Sequence, residues 1–290
     1  MTAYTVAIDD SAAGWQTLDW VGGELDPDHD RVRLLTVNAF RGEEPASSAS
    51  RLEAAAERLR RGRPYLAVTY DLVGGPTVEA ILANSEHGDV LVIGGQQLHR
   101  FLAAIAGRIA ERVVARANIP VVIVPERWAP ADGPIVVGVD SRTAASALGF
   151  AASIAVRKSR ELLLVRAWEV PSTTSPYGVI YLEQDRDIWE HEADLELDAA
   201  LRAVGVAHPD LSVRRIHHRG QPLRQLLAAS DNSSLIVIGR RHRTALGGLL
   251  TGSVGEALMH FSHVPVCVVP PHATTTADAG MPSDASADAG

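Results

Sequence analysis

The chain has 290 residues, a formal net charge of −8 and an isoelectric point near 5.8. Its basic runs extend no further than Arg240 to Arg243, which excludes a general nucleic-acid binder. The single cysteine, Cys267, excludes an internal disulfide and fits a reducing compartment. No stretch approaches the ~18–20 apolar residues of a membrane span, and MTAYTVAIDD lacks a basic-then-apolar signal, so the expectation is a cytoplasmic protein of about two domains.

In chain order, short Val/Ile/Leu runs alternate with helical patterns. The first half reads as strand 5–8, helix 14–22, strand 32–37, helix 48–62, strand 67–71, helix 77–84, strand 90–93, helix 107–117 and strand 121–124. The stretch Pro125 to Pro134 (PERWAPADGP) is a short proline-rich connection, too stiff to hold the flanking halves far apart. The second half reads as strands 135–139, 161–167, 212–217, 235–238 and 266–269, with helices near 143–159, 181–204, 222–229 and 253–261. Near-continuous runs such as IVVGV and LIVIG indicate strands covered on both faces. The pattern predicts an α/β fold: two tandem, doubly wound, five-stranded parallel sheets related by a pseudo-twofold. After Pro271 the tail has almost no large apolar residue, so 272–290 is expected to be disordered.

The two halves are copies. Gly94 and Gly239, Gly107 and Gly252, and Pro120 and Pro265 are each 145 residues apart, and Pro76 and Pro222 are 146 apart. Asp9 and Asp140 are only 131 apart, so the second copy carries extra residues in its middle. In each copy a strand ends in a glycine, and after twelve intervening residues a second glycine opens an apparent helix. Such an arrangement holds a phosphate, because exposed backbone N–H groups at a helix start face an anion with the helix dipole behind them.

Four features in order, twice, resemble the universal stress protein family. They are the acidic end of the first strand (Asp9-Asp10-Ser11; Asp140-Ser141), Gly-x-Pro before the third helix (Gly74 to Pro76; Gly220 to Pro222), the glycine loop, and a Val-Pro-Val-type last strand. The resemblance covers nearly the whole chain up to 271 and implies units at 1–126 and 133–271. The family's nucleotide-binding loop has the form G-x2-G-x9-G-[S/T]. In the second half this gives Gly239, His242 in place of the second glycine, then Gly252 and Ser253. The resemblance implies ATP at the C-terminal ends of the strands. Gly252, Ser253 and Val254 would meet the phosphates, and Gly239 and Arg240 would lie against ribose or phosphate. Asp140 and Ser141 would sit near the ribose or a phosphate-bound magnesium, with Val165 and Ala167 framing the adenine. A non-glycine residue such as His242 at a left-handed position costs roughly 1–2 kcal/mol, about tenfold in affinity. The loop after Asp140 is also one residue shorter, with Leu148 at +8 against Leu18 at +9 from Asp9.

The first half is more degenerate. The same frame gives Gly94, Gln97 for the second glycine, and Gly107 followed by Arg108 where serine should stand. A cation at a helix start opposes the dipole by ~0.3–1 kcal/mol, so Arg108 is expected either to fold toward Asp9 or Asp10 and plug its own phosphate site, or to be solvated. Nucleotide binding is therefore expected mainly in the second half.

Other residues read more plainly. Cys267, in VPVCVVP, is a buried strand residue, and Trp15, Trp20, Trp168 and Trp189 belong to the core or the junction of the halves. The pairs His217-His218 and His260, His263 have no further suitably spaced ligands, which argues against zinc. The helix WEHEADLELDAAL carries an acidic face expected to point to solvent. No Walker loop, loop lysine or nucleophile elbow is present, and fast phosphoryl transfer needs more than Asp140, Ser253 and loose arginines. The reading is a stress-linked regulator that binds ATP, with magnesium, and is at most a slow ATPase. It would present the nucleotide-dependent face to a protein partner. The alternative is a nucleotide-free scaffold. The tandem chain resembles the family's dimer fused into one, an intramolecular pseudo-dimer whose halves meet near their last strands, and further pairing into a homodimer stays open.

Overall fold

The computed structural model describes residues 1–38, 45–95, 103–141, 143, 145–170, 172–175, 178–181, 186–240 and 254–273. The N-terminal half runs β1 (Ala3–Ala7), α1 (Ala12–Glu24), β2 (Arg31–Asn38), α2 (Pro45–Arg60), β3 (Ala67–Gly74), α3 (Thr77–Ser85), β4 (Val90–Gly95), α4 (Ala103–Arg116) and β5 (Val121–Pro125). The C-terminal half follows as β6 (Ile135–Gly138), α5 (Ala145–Arg157), β7 (Leu162–Trp168), β8 (Ser172–Ser175), β9 (Gly178–Tyr181), α6 (Arg186–Ala207), β10 (Val213–Arg219), α7 (Pro222–Ala229), β11 (Leu235–Gly239), α8 (Val254–Phe261) and β12 (Val266–Val269).

Ten strands form one sheet in the order β10-β7-β6-β11-β12-β5-β4-β1-β2-β3. Read from either edge inward, the order within each half is the same, which is the doubly wound arrangement repeated about a pseudo-twofold. Within this ten-stranded sheet every pairing inside a half is parallel, whereas β5 and β12 join the halves antiparallel, with Val122 opposite Cys267. Pro120 and Pro265 introduce these two joining strands. Their carbonyls accept from the N–H groups of Leu91 and Ile236 at 2.9 Å each, and the missing proline donors fall just outside the ladder.

The strands read as apolar runs because helices cover both faces. One core holds Val6, Leu18, Leu34, Leu52 and Leu59 with Val137, Ala151, Leu164 and Leu197, under α1, α2, α5 and α6. The other holds Leu91, Ile93, Val113 and Val114 with Ile236, Leu226 and Leu258, under α3, α4, α7 and α8. Each core is continuous across the seam. Burying a Val or Ile side chain is worth ~1.5–3 kcal/mol, and the β5 and β12 side chains are buried throughout, so the halves are docked rather than tethered. Trp20 and Trp168 are buried and Trp189 packs on Trp168, as the sequence leads one to expect.

Three elements depart from the sequence pattern. The β8–β9 hairpin fills part of the extra length of the second half, so Tyr181 ends a strand and α6 starts at Arg186. The acidic face of α6 meets solvent and is also partly paired: Glu196 pairs with Arg166 of β7, and the half-exposed Asp194 and Asp198 pair with Arg215 of β10. Finally, α4 begins at Ala103, one turn before Gly107. The tail from 274 onward lies outside the described residues.

Salt bridges and hydrogen bonds add to the seam. The Arg157 guanidinium donates to the Thr2 and Tyr4 hydroxyls at 2.6 and 2.7 Å, and Lys158 donates to the Gly23 carbonyl. Glu24 faces both Lys158 and Arg160. Burial outweighs Glu24 at Lys158 and holds its pKa below the usual lysine value.

Candidate functional site

In the C-terminal half the chain leaves β6 toward β7 on one side and returns to β11 on the other, which opens a crevice at the C-terminal strand ends. A cleft of about 850 Å³, counted out to its open mouth and the solvent there, lies at this crevice. Gly138 and Asp140 come from the end of β6, Val165 and Ala167 from β7, Gly239 and Arg240 from β11, and Val254 from the first turn of α8. Pro222 and Leu226 of α7, Ile238 and Met259 complete an apolar wall. Of the residues read from sequence, Asp140, Val165, Ala167, Gly239, Arg240 and Val254 are thus brought together. Ser141 is exposed and does not line the cleft. His242, Gly252 and Ser253 lie outside the described residues.

Local chemistry places Asp140. Its backbone N–H donates to the Thr143 hydroxyl at 2.8 Å, and that hydroxyl donates to the Asp140 carboxylate at 3.1 Å. This turn directs the chain from the strand end toward α5 and leaves the carboxylate on the cleft. Arg240 serves another purpose. Its guanidinium donates to the Val114 and Ala117 carbonyls at 2.9 and 2.5 Å, at the C-terminal end of α4 in the other half, and burial lowers its pKa. A cation at a helix C-terminus is well placed against the dipole. Arg166 is likewise committed, to Glu196 and the Ala167 carbonyl.

The N-terminal half has a matching cleft of about 960 Å³, lined by Asp9, Ser11, Leu35, Ile81, Gly94 and Ile123. Its phosphate end differs. Because α4 starts at Ala103, Gly107 and Arg108 stand in the second turn, where backbone N–H groups are committed to helical hydrogen bonds. Gly107 does not open the helix, and the Arg108 side chain lies outside what the structure describes. Asp10 is paired with Arg51 of α2 and does not line the cleft. Asp9 accepts from the Ser11 N–H at 3.0 Å, and Ser11 caps α1 by accepting from the Gly14 N–H. Gln97 lies outside the described residues.

Residues from one half also enter the other's cleft. Val114 of α4 lines the C-terminal cleft, while Met259 and His260 of α8 line the N-terminal one. Between them, His260 Nε2 lies 2.7 Å from Glu111 Oε1. No sequence pattern announces these contacts, which join residues more than a hundred positions apart.

The family model of the universal stress protein family matches residues 4–125 and again 133–270. The chain belongs to the universal stress protein family. Both matches together make it a tandem member. A universal stress protein of Mycobacterium tuberculosis is 27% identical over 267 residues, 90% of this chain and 84% of the relative. A universal stress protein of Mycobacterium bovis is 29% identical over 208 residues, 70% of this chain and 69% of the relative. Among solved structures, a universal stress protein from Archaeoglobus fulgidus superposes with a TM-score of 0.65 at 18% identity, covering 93% of this chain and 98% of that one. That likeness speaks to the fold: a tandem universal stress protein with a shared α/β sheet. Among its described residues no helix is long and apolar enough to cross a membrane.

Proposed function

We propose that this tandem universal stress protein is a cytoplasmic stress-response regulator that binds ATP, as Mg-ATP, mainly in the cleft of its C-terminal half, at 133–271. The observation that carries the reading is the convergence of the β6, β7 and β11 ends with the first turn of α8 on one cleft. Val165 and Ala167 give the adenine an apolar wall, and Asp140 is the residue that would hold the magnesium. The Gly252-Ser253 stretch that leads into α8 would offer its backbone N–H groups and the Ser253 hydroxyl to phosphate. In the N-terminal half Gln97 and Arg108 stand where the loop motif has glycine and serine, which supports a single working site. Slow or absent hydrolysis is supported by the charged groups that line the cleft among the described residues: Asp140, Arg166, Arg240 and Glu256. Both arginines are held by protein partners, so neither is poised to neutralise a moving phosphoryl group. Occupancy would then act by changing the face around Gly239 to Gly252 that a protein partner meets.

Equilibrium binding of Mg-ATP to the wild type, Ser253→Ala and Ala167→Phe tests the site. Loss of a hydrogen bond to a charged phosphate costs ~1.5–3 kcal/mol, so Ser253→Ala should weaken binding by roughly 10–150-fold, and Ala167→Phe should block the adenine wall. Unchanged affinity in both variants would contradict the site. Absence of binding at millimolar ATP would leave the nucleotide-free scaffold. Turnover near about one per second would contradict the regulatory reading.

A further inference from the structure

We propose that Glu111, Glu256 and His260 form a binding site for one divalent transition-metal cation of the zinc type, held between the two halves. The three side chains offer ligand atoms that all lie within 4.8 Å of one another, and each residue is half-buried. Glu111 comes from α4 and the other two from α8, four residues apart and so on one face of that helix.

The duplication explains the convergence. Glu111 and Glu256 are 145 residues apart, the offset that relates the glycine loops, so they are the same position in the two copies. The pseudo-twofold brings these two equivalent carboxylates to one place, where like charges out of water repel. His260 breaks the symmetry, since the N-terminal copy has Ala115 at the corresponding position. The result is one imidazole nitrogen with two carboxylates, a donor set that suits zinc, manganese or iron better than magnesium or calcium. Zinc bonds to such ligands are ~2.0–2.2 Å long, so closing the set on an ion asks for side-chain rotation between helices already in place. An entry path exists: Glu111 and His260 border the N-terminal cleft and Glu256 the C-terminal one. The near contact of His260 with Glu111 is the pair whose shared proton the ion would replace. The proposal does not rest on nucleotide binding, and the ion would clamp the halves together.

The test is titration of the chelator-stripped full chain with Zn2+ against a chromogenic zinc indicator, alongside Glu111→Gln, His260→Gln and, as a control, the exposed neighbour His263→Gln. One zinc per chain is expected, weakened by roughly 10–100-fold or more in the first two variants and unchanged in the control. Zn2+ should also raise the melting temperature of the wild type and leave that of Glu111→Gln and His260→Gln unmoved, a readout that ligand binding to the folded state requires. The proposal is overturned by no saturable binding up to about 100 μM zinc, or by equal affinity in wild type, Glu111→Gln and His260→Gln.

Discussion

Gly94 shows how one residue can satisfy a motif for a reason unrelated to its ligand. A Cβ there would stand 2.9 Å from the Ala13 backbone, so α1 needs a glycine at the end of β4 whether or not phosphate binds. The informative positions come later in the loop, at Gly252-Ser253 against Gly107-Arg108. Asp140, Gly239, Val165 and Ala167 were legible because a strand end is a local feature that carries its cleft residue with it. The roles of Arg240 and His260 were not, since their partners lie 123 to 149 residues away along the chain. Two predictions belong at this scale. A Cβ on Gly133 would meet the Asn232 carbonyl oxygen at 1.6 Å, so Gly133→Ala should destabilise the protein by ~1–3 kcal/mol in urea denaturation, and an unchanged midpoint would contradict the close approach. Burial pushes the Cys267 thiol far up, so alkylating reagents should label it only in the unfolded chain; rapid labelling under native conditions would show that the seam opens.

Among elements, strands were the most legible. Residues such as Leu91, Ile236 and Val137 are buried on both sheet faces, and a strand covered by helices on both sides has no solvent-facing position to interrupt its apolar run. The β8–β9 hairpin was hidden because STTS and GVIY are too short and mixed to signal pairing. The start of α4 departs from the sequence pattern for a physical reason: glycine marks a helix boundary often enough that Gly107 reads as one, yet a glycine inside a helix costs only ~1 kcal/mol against alanine. Arg240 links two elements across the seam, and charge-assisted hydrogen bonds are worth ~1.5–3 kcal/mol, less where water reaches them. Arg240→Ala should therefore lower the melting temperature while leaving ATP affinity within about twofold. A large loss of ATP binding with unchanged stability would place the guanidinium on the nucleotide instead.

At the scale of the whole molecule, tandem duplication makes one sheet and two cores that run through both halves. Neither half can unfold without exposing the β5–β12 seam, so urea should produce one cooperative transition, coincident by circular dichroism and tryptophan fluorescence. Trp15 and Trp20 report the first half and Trp168 and Trp189 the second; two separated transitions would contradict a shared core. The same fusion frees the copies to diverge, since one can depart from the glycine-loop motif at Gln97 and Arg108 while still supplying Val114, Glu111 and the α4 terminus that Arg240 caps. The central claim is that asymmetry, one working nucleotide cleft supported by a retired one. Calorimetric titration of nucleotide-stripped protein with Mg-ATP measures it directly: the account predicts one site per chain, and two equivalent sites, or one that survives Ser253→Ala unchanged, would contradict it.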